Sequence, residues 1–458
     1  MKRLFFRNCL AVGVAALLLT SCHQKPEGRH VTDLSGPGWI LWQDQMASWE
    51  NDELFLPPVD LAKVPANPPT AGWEILSQGM PVSVPGTVEE YLGKGQGPEA
   101  QAKGVTWWSR AFVVPEVSRD SLLKLQFDSV RLRAEVYVNG RLVGYDLVGN
   151  TPFSVDLTPL LRDGTLRPGK EARLVVRVTN PGGNCDWKDY EPMHWGKYLI
   201  PISHGFSGIT GGVKLVDTAP LHISDLYLQN TPNPRSINAI TTIGNASGRD
   251  QRCILRLVIR EKDGGRILLT REFKDLVFKP GDNPFTVPLE VADAKLWSPD
   301  QPNLHVAEVT LLGQDGSADR VDEAFGFRWF SPEGIGSDAV LRLNGKRIVL
   351  RTAISWGFWP INGVFPSPEL ASRQIRVAKE FGLNMLNFHR CIGNSVVFDK
   401  ADEMGLLYFE EPGGYVSAKD DPFAQALSRE KLLRMVKRDR NHPSLVIYNM
   451  INEQWDKW

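Results

Sequence analysis

At 458 residues the chain is longer than one hydrophobic core organises, so two to four domains are expected. Its 52 basic and 53 acidic residues nearly cancel, which argues against a nucleic-acid partner. The 14 Trp residues suit large aromatic cores first and, at exposed positions, flat faces on which sugar rings stack.

The opening "MKRLFFRNCLAVGVAALLLTSC" has a basic start (Lys2, Arg3, Arg7), a short apolar stretch and small residues before Cys22. This pattern predicts a signal sequence over residues 1–21, too short and wrongly flanked for a stable membrane span. Its ending, "LTSC", resembles a bacterial lipobox. The resemblance implies cleavage before Cys22, acylation of its thiol, and a tether over 22–30 that holds the body at the cell envelope, on a periplasmic or outer face. An ordinary signal peptide with an incidental Cys is the alternative. Beyond it Cys185, Cys253 and Cys391 are odd in number, widely spaced and without CxxC or His-rich company. Packed thiols are expected rather than a disulfide framework, and neither a metal site nor a cofactor is expected.

From 31 to 218 the pattern is β throughout. In "LLKLQFDSVRLRAEVYVNGRLVGYD", Leu123, Leu125 and Phe127, then Ala134, Val136 and Val138, alternate with other residues before a turn at Asn139-Gly140. Many short strands between turn signals predict a jelly-roll sandwich. A second β segment, 219–331, has its clearest hairpin at Gly264-Gly265 and the length of an immunoglobulin-like sandwich.

The texture changes over 332–458. "RIVLRTAIS" reads as a strand. Ser367-Pro368 then opens a helix that Gly382 closes, with Leu370, Ile375, Val377, Ala378 and Phe381 as its buried stripe. "LNMLNFHR" is a strand, "SVVFDKADEMG" a helix, "LLYFEEP" a strand, "AQALSREKLLRMVKRD" a helix and "SLVIYNMINE" a fourth strand. Alternation of this kind implies right-handed crossovers and a parallel sheet. The basic residues Arg429, Lys431, Arg434, Lys437, Arg438 and Arg440 are expected to form a solvated outer helix face. His442 and Pro443 are expected to pack in a turn.

Functional groups of parallel α/β architectures gather at the carboxyl ends of the strands. Applied here, that rule brings Ser355-Trp356, His389-Arg390, Glu410-Glu411 and Asn452-Glu453 to one mouth, which suits a polar-substrate enzyme. Any one of them alone is more often a packing or capping residue.

Several stretches carry a family resemblance. "VPGTVEEYL" and "LQFDSVRLRAEVYVNGRLVGYDLVGNTPFSVDLTPLL" are similar to the jelly roll of glycoside hydrolase family 2. "LWSPDQPNLH" and "FGFRWF" resemble the end of that family's middle domain, "LNGKRIVLRT" the entry to its catalytic barrel, and "RNHPSLVIYNMINE" its fourth barrel strand. The resemblance implies a multidomain fold: a jelly roll, an immunoglobulin-like sandwich, then the first half of a TIM (β/α)8 barrel. It implies a retaining β-glycosidase acting on an oligosaccharide or other glycoside, with Glu453 as catalytic acid/base and Asn452 on the sugar 2-hydroxyl. Trp356, His389 and Arg390 would contact substrate, and Trp356, Trp359 and Trp455 would supply apolar walls.

Two departures separate this sequence from the family pattern. "AISWG" stands where many members have Asn-Xaa-His. On the second strand "NFHR" puts Asn387 in place of an Arg and Arg390 in place of a His. A full barrel takes about 250 residues, and the stretch from Leu341 onward suffices for four strand-helix units. The family's nucleophile would lie on a later strand, so the expectation is an incomplete enzyme whose membrane link is only the lipid anchor. Glu410 and Glu411 are weak substitutes for that nucleophile. A non-catalytic carbohydrate-binding or scaffolding lipoprotein is the competing reading.

Overall fold

A computed structural model describes residues 28–92, 103–183, 193–201, 204–413, 421–450 and Asn452. Cys22 and Cys185 lie outside them. Between His30 and Thr218 two antiparallel sheets face each other. One has four strands, in the order His30–Asp33, Val213–Thr218, Leu122–Phe127, Phe153–Asp156. The other has six, in the order Met80–Val84, Gly36–Asp44, Gly104–Val113, Glu171–Asn180, Arg133–Val138, Arg141–Asp146. Leu123, Leu125 and Phe127 point into the core between them, together with Ala134, Val136 and Val138. The hairpin turn is built by Asn139 and Gly140, both at positive φ (49° and 78°), the backbone that a two-residue turn of this kind requires.

The six-stranded sheet is buried on its second face as well. Trp49, Leu54, Leu76 and Trp195 cover Trp107 and Tyr137 there. Beneath that cover the polar members of the alternation form an ion network instead of meeting water. Arg177 Nη1 reaches Glu135 at 2.6 Å, Arg133 reaches Glu135 at 3.1 Å, and Tyr137 Oη donates to Glu135 at 2.9 Å. Such charges are tolerated in an interior only because each is paired.

The second sandwich packs the sheet Leu221–Asn230, Ser236–Asn245, Gly281–Glu290 against the sheet Ile267–Phe278, Gln251–Glu261, His305–Gly313, Ala318–Phe325. Leu255, Leu257, Ile259, Ile237 and Ile243 fill its core. Gly264 and Gly265 turn its hairpin at φ of 74° and 67°.

Four parallel strands follow: β1 (Thr352–Ser355), β2 (Met385–Phe388), β3 (Leu407–Glu410) and β4 (Leu445–Tyr448), hydrogen-bonded in that order. Three helices connect them: α1 (Pro368–Glu380), α2 (Ser395–Met404) and α3 (Pro422–Asp439). Ser367 caps α1 by accepting from Leu370 N, with Pro368 in its first turn, and Gly405 ends α2 in the left-handed region. The stretch expected as one strand, "RIVLRTAIS", is broken: Lys346–Ile348 belongs to an antiparallel sheet and β1 begins only at Thr352.

Two expectations about helix faces are corrected. On α1 the buried residues are Ala371, Ile375 and Ala378, whereas Val377 is 39% and Phe381 81% exposed, because the covering surface is narrower than the apolar stripe. The basic face of α3 is not solvated. Arg429 and Lys437 are exposed, but Lys431 is buried, Arg434 pairs with Asp146 of the first sandwich, Arg438 with Asp439 and Glu410, and Arg440 with Asp225 of the second. The helix is wedged between both sandwiches and the parallel sheet, so its charges have protein partners. Cys253 and Cys391 are buried thiols, with no disulfide between them. No helix among the described residues is long and apolar enough to cross a membrane.

Candidate active site

The parallel register brings the strand ends level. Ser355 pairs with Phe388, Phe388 with Glu410, and Glu410 with Tyr448, so the residues that follow each strand emerge along one edge. Trp356 leaves β1, His389 and Arg390 leave β2, Glu411 leaves β3, and Asn452 lies beyond β4. Glu453 and Trp455 lie outside the described residues.

Trp356, His389 and Arg390 form one cluster. The His389 ring meets the Trp356 indole edge-on, with centroids 4.4 Å apart, and its backbone N–H donates to Ser355 O at 2.9 Å. The Arg390 guanidinium carbon lies 5.3 Å from the Trp356 ring centroid, within cation–π reach. Arg390 itself has φ of +60°, an uncommon backbone for a residue with a Cβ, and such outliers concentrate at functional sites. Its N–H donates to Glu411 Oε2 at 2.8 Å, which anchors the turn. Beside it Cys391 Sγ donates to Trp356 O at 3.4 Å, and Gly357, at φ +67°, leaves no room for a Cβ against that sulfur.

Glu411, placed at this mouth by the strand-end rule and otherwise weighed only as a weak nucleophile substitute, is the hub of the cluster. It is 1% exposed, and burial raises its carboxyl above the usual range. The Arg390 N–H, side-chain hydrogen bonds from Asn449 and Asn387, and the Arg390 charge oppose that shift. Asn387, which replaces the expected Arg on the second strand, therefore supports Glu411. Its neighbour Glu410 is fully buried, accepts from Gly393 N at 2.8 Å, and lies 3.4 Å from Arg438. Burial and the adjacent Asp439 push its carboxyl well above the usual range. Both carboxylates are thus occupied in holding the second strand's loop, an arrangement that suits support better than nucleophilic attack.

The first loop is clamped from the jelly-roll side. Thr87 Oγ1 donates to Asn362 O at 3.0 Å, the Phe206 and Phe358 rings lie 6.2 Å apart, and the Phe206 ring fills the space where Gly363 would carry a Cβ. This clamp had only a faint sequence signal, the Gly-rich run around Phe206. Trp359, expected as a wall of the site, is instead 7% exposed within the core with Ala371 and Ile375. Asn452 is 8% exposed, and its Nδ2 has no partner among the described residues. No three His, Cys, Asp or Glu side chains among the described residues gather as a metal site would require.

Two family models match the chain: "Glycosyl hydrolases family 2, sugar binding domain" over residues 67–196, and "Glycosyl hydrolases family 2" over residues 221–328. The chain is 25% identical over 359 residues to a putative beta-glucuronidase of Formosa agariphila, covering 76% of this chain and 40% of that protein. It is 27% identical over 368 residues to a beta-galactosidase of Thermoanaerobacter pseudethanolicus, covering 78% and 46%. The chain thus spans less than half the length of these curated relatives. Among solved structures, Bacteroides uniformis beta-glucuronidase superposes with a TM-score of 0.72 at 20% identity, over 93% of this chain and 47% of that one. The beta-galacturonidase of Eisenbergiella tayi, bound to galacturonate, gives 0.70 at 20% identity over 95% and 67%. At such identities the superpositions speak to the fold.

Proposed function

The chain belongs to glycoside hydrolase family 2, and from that premise we propose the activity of a retaining exo-β-glycosidase in which Glu453 is the general acid/base. The four parallel strands are read as units of a (β/α)8 barrel, with substrate entering at their carboxyl ends. Glu453, protonated, donates to the leaving oxygen, and Asn452 holds the sugar 2-hydroxyl. Trp356 offers a face to the ring, while His389 and Arg390 hydrogen-bond its hydroxyls or a carboxylate. A second carboxylate, about 5 to 5.5 Å from the first, attacks the anomeric carbon; Glu410 and Glu411 do not fit that role because both are tied to the second strand's loop.

The observation that carries this reading is the level register of the strand ends, which groups Trp356, His389, Arg390 and Glu411 on the edge where Asn452 also lies. The beta-glucuronidases and beta-galactosidases among the relatives support a β-linked glycoside as substrate. The same reading puts the enzyme at the cell envelope through acylation of Cys22, so Cys22→Ser should move it from the membrane to the soluble fraction.

The test uses the full-length enzyme and aryl β-glycosides of graded leaving-group ability. Glu453→Gln should lose about 10²- to 10⁴-fold in turnover of substrates with poor leaving groups and far less with activated ones. Unchanged turnover of a poor-leaving-group substrate would refute the assignment.

A further inference from the structure

Behind the mouth, between the parallel sheet and helix α3, lies a buried acid pair that the proposed chemistry does not use. Glu410 ends β3 and Asp439 ends α3, and both side chains are 0% exposed. Arg438 forks onto Asp439, with Nε 2.7 Å from Oδ1 and Nη2 2.7 Å from Oδ2. Asp439 also lies within hydrogen-bonding reach of the Glu410 carboxyl. Two acids and one base are thus enclosed together. Three further titratable groups face them. Tyr448 of β4 has a phenol that burial keeps protonated, Asp128 of the first sandwich faces Arg438, and His442 faces Asp439 while bound to Asp402.

The two oxygens of Glu410 are not equivalent. Oε1 accepts from Gly393 N at 2.8 Å and lies 3.4 Å from Arg438 Nη2, whereas Oε2 is buried with no donor among the described residues. An ionised carboxylate would leave that oxygen bare beside a second carboxylate, at a cost in both desolvation and repulsion. A proton on Oε2 makes it a donor to Asp439 and removes one of the two negative charges. The same trio grips the loop after β2. While Glu410 takes the Gly393 N–H, Arg438 Nη2 donates to Gly393 O at 2.6 Å. Gly393 lies between Arg390 and Asn394, the cap of α2, and a Cβ there would strike the Phe388 and Phe398 rings at 2.5 and 2.6 Å.

We infer that Glu410 and Asp439 share one proton, and that this proton latches the loop carrying His389 and Arg390, making Glu410 a positioning residue for the mouth. With the proton in place, Glu410 and Arg438 hold both backbone groups of Gly393 while Asp439 accepts from each of them. When it leaves, two adjacent carboxylates compete for one guanidinium and the grip on Gly393 slackens. Burial and Asp439 raise the Glu410 pKa well above the usual range. The latch is therefore closed below that raised value and opens as pH rises through it, on the alkaline side of the ordinary carboxylate range. The consequence for catalysis rests on the strand ends being the substrate site; the shared proton itself does not.

Two measurements on the full-length enzyme test this. Amide hydrogen exchange without substrate, corrected for the intrinsic rate, reads the protection of residues 390–394. In the parent that protection should fall about tenfold between about pH 7 and 10. Glu410→Gln keeps the acceptor for Gly393 N and offers Asp439 an N–H that does not titrate, so its protection should stay level over the same range. Glu410→Leu fills the space but makes neither bond, and should lose about tenfold already at neutral pH. His442 also titrates, at about 9, but it is common to parent and variants, so their difference isolates Glu410. The second measurement is KM for an activated aryl β-glycoside, which should rise about tenfold over the alkaline range in the parent and stay level in Glu410→Gln. Equal alkaline losses of protection in the parent and the Gln variant, or a Gln variant as poorly protected as the Leu variant at neutral pH, overturn the shared proton. Exchange that follows the proton while KM does not overturns the positioning role. Absence of any turnover would fail the substrate-site reading instead, and exchange would still decide the latch.

Discussion

The two ends of the parallel sheet are built on opposite principles. At the amino ends the second sandwich seals the strands: Trp297 and Leu304 pack with Met385 and Leu407, the residues that open β2 and β3. Polar groups there are paired off. Trp297 Nε1 donates to Asp402 O at 2.9 Å, Asn344 Nδ2 to Trp297 O at 2.9 Å, and Arg328 to Pro443 O and Leu445 O at 3.0 and 2.7 Å. At the carboxyl ends the chain accepts strain and charge burial. Ile361, at φ +79°, is 86% exposed, Arg390 is left-handed, and Glu410 and Glu411 are buried acids with raised pKa. The amino end is organised for stability, and the carboxyl end retains unfavourable features that stability alone would have removed.

The largest effect should follow from opening the sealed end. Trp297 is fully buried, so Trp297→Ala should cost about 3 to 5 kcal/mol in denaturant unfolding, through lost packing and an unsatisfied Asp402 carbonyl. A loss under about 1 kcal/mol would break the contrast between the two ends.

His442 gives the same end a pH signature. Burial opposes its charge, but Asp402 at 2.6 Å, with Asp439 and Asp399 nearby, outweighs this and raises it to about 9. The folded pKa exceeds the unfolded one, so the contribution is fully present below the ordinary value of about 6.5 and is lost as pH rises through 9. Unfolding free energy should therefore fall by on the order of 3 kcal/mol between pH 6.5 and 9.5. In His442→Gln this part of the slope should be absent; an identical slope in the variant would show that the ion pair is not its source.

What the sequence revealed, and what it concealed, follows the same division between local and distant causes. Asn139-Gly140 acts through its own backbone and Ser367-Pro368 through a side chain that reaches three residues and a fixed φ, and each built the turn or cap expected of it. The strand ends were legible because strand-helix alternation alone makes them converge. The environment of α3 was not: Arg434 meets Asp146 across 288 positions and Arg440 meets Asp225 across 215, so no local pattern could separate them from a solvated face. Val377 and Phe381 failed for a related reason, since periodicity names an apolar stripe but only the partner surface sets its width. Glu411 was placed at the mouth by the strand-end rule, but its supporting role stayed hidden because it rests on Arg390 N and Asn387 from β2 and Asn449 from β4, which the fold brings to the end of β3.

At the carboxyl end a smaller loss is expected from the jelly-roll clamp. Gly363 has φ +88°, and an added Cβ would sit 2.2 Å from the Phe206 ring. Gly363→Ala should cost about 1 to 2 kcal/mol from its backbone alone, plus a steric part. The steric part should vanish in a Phe206→Ala background while the backbone part remains, so the two substitutions should be markedly non-additive. Simple additivity would mean that the loop does not lean on Phe206.

The smallest stability change, and the one that sharpens the comparison most, should come from Arg390. Its guanidinium lies over Trp356 at a partly exposed position, and the turn is held by its backbone N–H, which any residue supplies. Arg390→Gly should leave unfolding free energy within about 1 kcal/mol, because relief of the left-handed strain offsets most of the lost ring contact and of the lost positive charge beside Glu411. The same change should raise KM for the best aryl β-glycoside about tenfold, with a smaller effect on kcat, as expected for a group that binds substrate and takes no proton. Were stability to collapse and KM to hold, Arg390 would belong with Trp297 among the residues that build the sheet.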